Sequence, residues 1–227
     1  MKQPFRKLAD KLNYRFANES LLEQALTHRS ASNINNERLE FLGDAVLNHL
    51  IAAELYRRFP DLNEGELSRL RSSLVKGETL AAMAAELKFG DYLILGPGES
   101  KTGGAQRRSI LAGALEAIIG AIYLDGGFNS SSVLIADIYQ RRFETIDLGA
   151  AKKDAKTRLQ EYLQSRAMAL PEYSVRAVDG PSHAQFFAVE CRIEGFPEPV
   201  IGQGSSRRKA EQDAAARTLD MLQGSSQ

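Results

Sequence analysis

The spacing of apolar residues changes near residue 150, and this change restricts the fold more than any other feature of the chain. Up to about residue 146, Leu, Ala and Ile recur every three or four residues, which is typical of amphipathic helices. Beyond about residue 154 the spacing predicts a helix, three segments with strand-like alternation, and a second helix. The predicted elements are helices at 36–59, 63–87, 109–124, 154–166 and 206–222, strands at 173–179, 185–193 and 198–202, and an exposed loop at 95–108.

Two domains follow from this pattern. We expect an all-α domain at residues 1–148, a linker at 149–154, and a small α+β domain with the order α-β-β-β-α at 155–224. A sequential three-stranded antiparallel sheet with both helices on one face would bury one small core. The core residues expected there are Leu159, Tyr162, Leu163, Val175, Phe187, Val189, Ala210, Ala214 and Leu219.

The composition excludes several classes of protein. The 43% hydrophobic and 26% charged residues are ordinary for a soluble protein, and we expect no membrane span. The N-terminus has no apolar leader and the lone Cys191 cannot form an intrachain disulfide, so we expect a cytoplasmic location. His28 and His49 lack a second His or Cys at zinc-ligand spacing, so we expect no zinc site. The sequence has no phosphate-binding loop, so we expect no nucleotide cofactor. Because the net charge is zero, contact with nucleic-acid phosphates must come from local basic clusters, such as 151–156 and 207–209.

Four acidic residues stand out. On the helix predicted at 36–59, Glu37, Glu40 and Asp44 fall within an arc of about 60°, opposite the apolar face. Like charges at these spacings destabilise a helix, and a hard cation such as Mg²⁺ would relieve their repulsion. A solvated acidic face is the alternative interpretation. Glu116 shares its helical face with Gly113 and other small residues, so a second helix can approach it and turn it inward, where a carboxylate needs a cation.

The segment NERLEFLGDAVL at 36–47 resembles the signature of the ribonuclease III family. Three further segments resemble its other motifs, namely ALTHRS at 25–30, ELSRLRSSLV at 66–75 and LGPGESKTGG at 95–104. The resemblance implies a homodimeric endonuclease that cuts double-stranded RNA with Mg²⁺, or Mn²⁺ in its place, leaving 5′-phosphate and 3′-hydroxyl ends. It implies processing of ribosomal RNA precursors and structured transcripts. By position, Glu40, Asp44 and Glu116 correspond to metal-binding catalytic acids, Glu37 to a further catalytic acid, and Phe41 to a dimer-interface aromatic.

One position departs from that family's pattern. The family carries Asp three residues before the glutamate that corresponds to Glu116, and this chain has Gly113. A glycine inside a helix also costs about 1 kcal/mol relative to alanine, so the substitution has no local benefit. Two explanations remain open: an enzyme with impaired cleavage and intact RNA binding, or a non-catalytic dimer that binds double-stranded RNA.

The C-terminal domain resembles a double-stranded RNA-binding domain. Such domains read the shape of a duplex of about 16 base pairs through 2′-hydroxyls and phosphates. The cationic cluster at 207–209 would open the last helix, whose positive N-terminus favours phosphates. Glu211 departs from the pattern, since many such domains carry a third lysine there. The residues expected to contact RNA are Thr157, Gln160, Glu161, Pro181, Ser182, His183, Ser206, Arg207, Arg208 and Lys209.

Overall fold

The computed structural model describes residues 3–148, 154–181 and 185–224, and it divides the chain into two compact units. The N-terminal unit comprises Met1–Ala151 and the C-terminal unit comprises Lys152–Gln227. The division falls inside the linker predicted at 149–154, of which only Asp154 lies within the described residues.

The N-terminal unit is helical, as the sequence predicted. Its helices are α1 Gln3–Lys11, α2 Glu19–Leu26, α3 Glu37–Arg58, α4 Glu64–Val75, α5 Gly77–Glu86, α6 Pro97–Lys101 and α7 Arg108–Glu144. Two short 3₁₀ helices span Phe89–Asp91 and Gly104–Gln106. Because α3 and α7 pack along each other at the centre of the unit, they determine where their polar residues meet.

Helix α7 is longer than the 109–124 predicted and contains a break at Gly127, whose φ of 75° is outside the helical region. By length and composition alone α7 could cross a membrane, but 67% of its most apolar window is buried within the protein. A helix buried on all sides in a helical domain has the same composition. We therefore interpret the apolar character of α7 as that of a core helix.

Two other predictions for this unit were wrong. The single helix predicted at 63–87 is two helices, because Lys76 is extended, with φ −64° and ψ 146°. At this break the Thr79 hydroxyl donates a hydrogen bond to the Ser73 carbonyl, and Gly77 next to it is a weak helix former. The loop predicted at 95–108 contains α6 and a 3₁₀ helix, and Pro97 occupies the first position of α6, where its fixed φ suits a helix.

Two distant segments of the N-terminal unit are bonded side by side. Thr27 forms a parallel bridge with Ile94, and the Ile94 carbonyl accepts a hydrogen bond of 2.9 Å from the backbone N–H of His28. Two residues further along each segment, the Ser30 hydroxyl accepts from the Gly96 N–H at 3.0 Å. We call residues 26–30 and 94–96 together the paired segments. They hold the backbone of His28 and Arg29 in place.

The C-terminal unit has the predicted α-β-β-β-α order. Its elements are α8 Ala155–Gln164, β1 Glu172–Asp179, β2 Phe186–Arg192, β3 Val200–Gly204 and α9 Arg207–Gly224. The strands form an antiparallel sheet in sequential order, with β2 in the centre. β3 begins two residues later than predicted and continues to Gly204. Pro199, which has no N–H for the ladder, precedes it.

The core of this unit contains most of the residues expected there. Leu159, Leu163, Val189, Ala210, Ala214 and Leu219 are buried, and Tyr162 and Phe187 are partly buried. Val175 was predicted wrongly, since it is 41% exposed. α9 packs on β2 and β3, whereas Val175 lies on the edge strand β1, next to a register shift between Val175 and Ala177.

Candidate active site

The acidic face of α3 opens into a cleft of the N-terminal unit. Glu37 and Asp44 are exposed and Glu40 is half-buried, while Leu39 and Val46 on the other side of α3 are buried. The cleft has a volume of about 650 Å³ and we call it the acidic cleft. Its lining residues are His28, Arg29, Asn36, Glu37, Glu40, Phe41, Asp44, Ser109, Ile110, Gly113 and Glu116.

Glu116 reaches this cleft from α7 because two glycines let the helix backbones touch. A Cβ atom added at Gly43 would lie 2.6 Å from the carbonyl carbon of Glu116, and one added at Gly120 would lie 3.0 Å from the backbone nitrogen of Gly43. Distances this short show that the helices approach without intervening side chains. The small residues around Glu116 predicted this approach, and it places Glu116 beside the acids of α3.

The carboxylates in the acidic cleft repel one another. Burial, followed by the negative charges of Asp44 and Glu40, raises the pKa of Glu116 to about 7. Burial and the charge of Glu37 likewise raise the pKa of Glu40, although Arg29 acts in the opposite direction. Arg29 lies at the mouth of the cleft, with its Nη1 atom 3.4 Å from Oε1 of Glu37. The cleft is therefore a site of excess negative charge that a cation would stabilise.

Phe41 is the most exposed large apolar residue of the chain's described part, at 81%. It borders the acidic cleft on one side and an apolar groove of about 640 Å³ on the other. Leu21, Leu39, Leu42 and Leu124 line that groove, which we call the Phe41 groove. That Phe41 lies in a dimer interface stays a prediction.

The RNA-contact residues predicted in the C-terminal unit lie on three elements. On α8, Gln160 and Glu161 are exposed, and the Thr157 hydroxyl donates to Oδ2 of Asp154, the N-cap of the helix, at 3.0 Å. Pro181 is exposed after β1, whereas Ser182 and His183 lie outside the described residues. At the start of α9 the side chains of Arg207, Arg208 and Lys209 are exposed, and the Ser206 hydroxyl accepts a hydrogen bond from the Lys209 N–H.

Comparison with known proteins identifies both units. A sequence profile described as "Ribonuclease-III-like" matches residues 18–142, and one described as "Double-stranded RNA binding motif" matches residues 155–222. The chain is 59% identical over 218 residues to Ribonuclease 3 of Nitrosococcus oceani, a match covering 95% of this chain and 94% of the relative. The chain belongs to the ribonuclease III family. It is also 54% identical over 222 residues to Ribonuclease 3 of Vibrio cholerae, covering 98% of this chain and 99% of that one.

A solved structure of a ribonuclease III nuclease domain, from Campylobacter jejuni, matches the chain with a TM-score of 0.61 and 42% identity. The match covers 65% of this chain and all of that domain. A second structure of the same domain matches with a TM-score of 0.59 and 42% identity, covering 61% of this chain and 97% of that one. It is described as flexible in a region involved in dimer formation. The chain is thus an endoribonuclease with a double-stranded RNA-binding domain, from a family that depends on divalent metal ions.

The acids of the acidic cleft fit a divalent metal ion by their chemistry. Carboxylate oxygens are hard ligands, and Glu40, Asp44 and Glu116 face one cleft. Within the described residues, no three His, Cys, Asp or Glu side chains lie close enough to surround an ion on their own. A hard divalent ion that keeps several waters needs only one or two carboxylates when substrate phosphates supply further ligands.

Gly113 lies directly under the carboxylate of Glu40. A Cβ atom added at Gly113 would be 2.6 Å from Oε2 and 2.8 Å from Cδ of Glu40. The Glu40 carboxylate thus occupies the space that a side chain at position 113 would enter. Since that carboxylate ends a flexible side chain, an aspartate at 113 could displace it at little cost.

Sequence reasoning missed the one cation among the described residues that line the acidic cleft, Arg29, and one cation of the C-terminal unit, Lys156. Arg29 was not among the predicted site residues, although it lies in the ALTHRS motif that suggested the family. Lys156 belongs to the basic cluster 151–156 but was not assigned a contact. Its partner Glu211 is on the other helix of the unit, so no local pattern reveals the pair.

Proposed function

We propose that the chain cuts both strands of double-stranded RNA with Mg²⁺, or Mn²⁺ in its place, held by Glu40, Asp44 and Glu116. The products would be 5′-phosphate and 3′-hydroxyl ends. One observation carries this proposal: three carboxylates from two helices face one cleft, and Asp44 and Glu40 contribute to raising the pKa of Glu116. Such a cleft stabilises a divalent cation, and a bound divalent ion supplies Lewis-acid stabilisation of the charge on a reacting phosphodiester.

Each side chain of the acidic cleft has a task in this proposal. The contact between α3 and α7 fixes the backbone of Glu116, so its side chain starts beside the acids of α3. Glu37 is a further acid at the mouth of the cleft, where Arg29 pairs with it. The guanidinium of Arg29 suits a phosphate oxygen of the RNA, because it presents several fixed N–H donors.

We further propose that two chains form a homodimer through Phe41 and the Phe41 groove, so that each acidic cleft cuts one strand. Support comes from the exposure of Phe41 beside an apolar groove of about 640 Å³, which is typical of an interaction surface. The Campylobacter jejuni domain, described with a region involved in dimer formation, is consistent with this arrangement.

The proposed substrates are ribosomal RNA precursors and other structured transcripts in the cytoplasm. The C-terminal domain would contact a duplex with Thr157, Gln160 and Glu161 on α8, with Pro181, Ser182 and His183 after β1, and with residues 206–209 on α9. Such contacts read the shape of an A-form duplex and not its sequence. Choice among transcripts would then depend on the length and regularity of their stems.

Gly113 is proposed to slow cleavage without weakening RNA binding. A missing carboxylate one turn from Glu116 removes support from the metal site, and loss of such supporting groups typically costs about 10- to 100-fold. The second candidate, a dimer that binds double-stranded RNA without cutting it, is favoured by Gly113 alone. The presence of Glu37, Glu40, Asp44 and Glu116 favours the enzyme.

The test is cleavage of a labelled stem-loop RNA in Mg²⁺, with binding measured separately in Ca²⁺. Gly113→Asp is compared with Gly113→Asn, which has nearly the same shape but no charge. We expect Gly113→Asp to raise the rate about 10- to 100-fold, Gly113→Asn to leave it low, and Glu116→Gln to abolish it, all with unchanged binding. Equal rates for Gly113→Asp and the parent would refute the role of position 113. Cleavage that survives Glu116→Gln would refute the metal site, and binding without cleavage in every variant would establish the second candidate.

A further inference from the structure

Glu211 of the C-terminal unit lies between two cations. Its Oε2 accepts a hydrogen bond from Lys156 Nζ at 2.6 Å, and its Oε1 accepts one from Arg207 Nε at 2.9 Å. The Glu211 side chain is only 13% exposed, whereas that of Arg207 is 63% exposed. The carboxylate therefore joins the first turn of α8 to the first turn of α9, the two helices expected to contact RNA.

Further contacts surround this arrangement. Lys156 Nζ lies 4.3 Å from the ring centroid of Tyr173, and Gln212 Nε2 donates to Oδ1 of Asp154 at 2.9 Å. The hydrogen bond from Lys156, assisted by the one from Arg207, lowers the pKa of Glu211, so this residue remains an anion. The phosphate-binding end of α9 thus contains a permanent negative charge whose neighbouring cations are already engaged.

The two following cations differ from Arg207. Arg208 and Lys209 are exposed, and in the part of the chain that the structure describes neither forms an ion pair. The Lys209 ammonium donates to the Ser205 hydroxyl at 3.2 Å. Phosphate oxygens approaching α9 would meet two available cations and one that is bound to a carboxylate.

We propose that Glu211 limits the affinity of the domain for duplex RNA by withholding Arg207 and Lys156 from the phosphates. This inference rests on the proposed RNA contacts of the C-terminal domain and revises one of them, because it assigns Arg207 a weaker contact than Arg208 and Lys209 while Glu211 holds its guanidinium. The Glu211 carboxylate would repel the phosphates of the RNA backbone, and it keeps the Arg207 side chain directed toward α9. Arg208 and Lys209 then make most of the phosphate contacts, and binding depends less steeply on salt, because the slope counts the phosphates that are neutralised.

The test measures binding of a perfect RNA duplex of about 20 base pairs by fluorescence anisotropy, in Ca²⁺ and over a range of salt concentrations. Glu211→Gln removes the charge and keeps the size of the side chain. We expect its affinity at about 0.1 M salt to rise about three- to tenfold and its salt slope to steepen by about one. The matched control is Glu194→Gln, which makes the same charge change in the turn after β2. It should alter neither quantity.

A double-mutant cycle makes the inference sharper. Arg207→Gln should weaken binding less than about twofold in the parent chain, but it should cancel the gain in the Glu211→Gln background. Arg208→Gln should weaken binding in both backgrounds. The Arg207→Gln result in the parent does not depend on how well Glu211→Gln folds. Binding by the parent without any gain in Glu211→Gln overturns this inference alone, whereas failure of the parent to bind the duplex overturns the proposed RNA contacts as well.

Discussion

The contact between α3 and α7 can be tested by adding one methyl group. In Gly43→Ala the new Cβ would lie 2.6 Å from the carbonyl carbon of Glu116 and 2.9 Å from the nitrogen of Gly120, where ordinary contact needs about 3.4 Å or more. Both obstacles are backbone atoms, so no side chain can rotate away and the helices must separate. Overpacking typically costs about 1–3 kcal/mol, and a backbone obstacle places this substitution at about 3 kcal/mol or above.

The assay is thermal unfolding of the full chain followed by far-UV circular dichroism, together with RNA cleavage. A loss of about 3 kcal/mol should lower the helical domain's midpoint by about 6–12 °C. Displacement of Glu116 should also reduce cleavage in the protein that remains folded. The matched control is Gly77→Ala, because a Cβ there meets nothing within 4 Å. A Gly43→Ala midpoint within about 2 °C of the parent would refute the close approach of the helices.

Three further predictions concern single residues. Asp125→Asn should destabilise the nuclease domain by about 1.5–3 kcal/mol in urea, because Asp125 accepts hydrogen bonds from Ala17 N, Asn18 N and the Tyr14 hydroxyl. Burial alone would raise the pKa of Asp125, but these hydrogen bonds outweigh burial and lower that pKa. The stability that the ionised carboxylate contributes is therefore complete above the usual Asp pKa of about 3.9, and it is lost as the pH falls through the lowered pKa. An identical urea midpoint at neutral pH would contradict this. Phe41→Glu should give a monomer in analytical ultracentrifugation at concentrations where the parent is a dimer, and a dimeric variant would rule out the Phe41 interface. Tyr139→Phe should cost about 1 kcal/mol, since the buried hydroxyl donates to a backbone carbonyl at 3.2 Å, and unchanged stability would show that this bond contributes nothing.

Local periodicity explains how much of the fold and the candidate site could be predicted. Residues three and four apart share a helix face, so the common face of Glu37, Glu40 and Asp44 follows from the sequence alone. The inward position of Glu116 follows from its small neighbours, because only Gly and Ala let helices approach so closely. The order of elements in the C-terminal unit follows from the change between helical and strand spacing.

The features that sequence did not reveal depend on contacts between distant residues. The helix break at Lys76 is determined by one extended residue and by the hydrogen bond from Thr79 to Ser73, which periodicity cannot detect. The exposure of Val175 depends on which strands α9 covers, and not on the alternation within β1. The pairing of Glu211 with Lys156 joins residues 55 positions apart, and the place of Arg29 in the acidic cleft depends on the paired segments.

Damage to the paired segments and damage to the metal ligands should affect the enzyme in different ways. A protease cut within 97–107 would leave all four carboxylates on intact helices, but it would release the segment that supports His28 and Arg29. The nicked enzyme would keep its metal ligands and lose the alignment of the cation at the mouth of the cleft. Its KM for RNA would rise while the metal concentration needed for half-maximal rate stayed the same, a combination that substitution of the acids does not produce. Limited proteolysis therefore distinguishes substrate positioning from metal binding in a single chain.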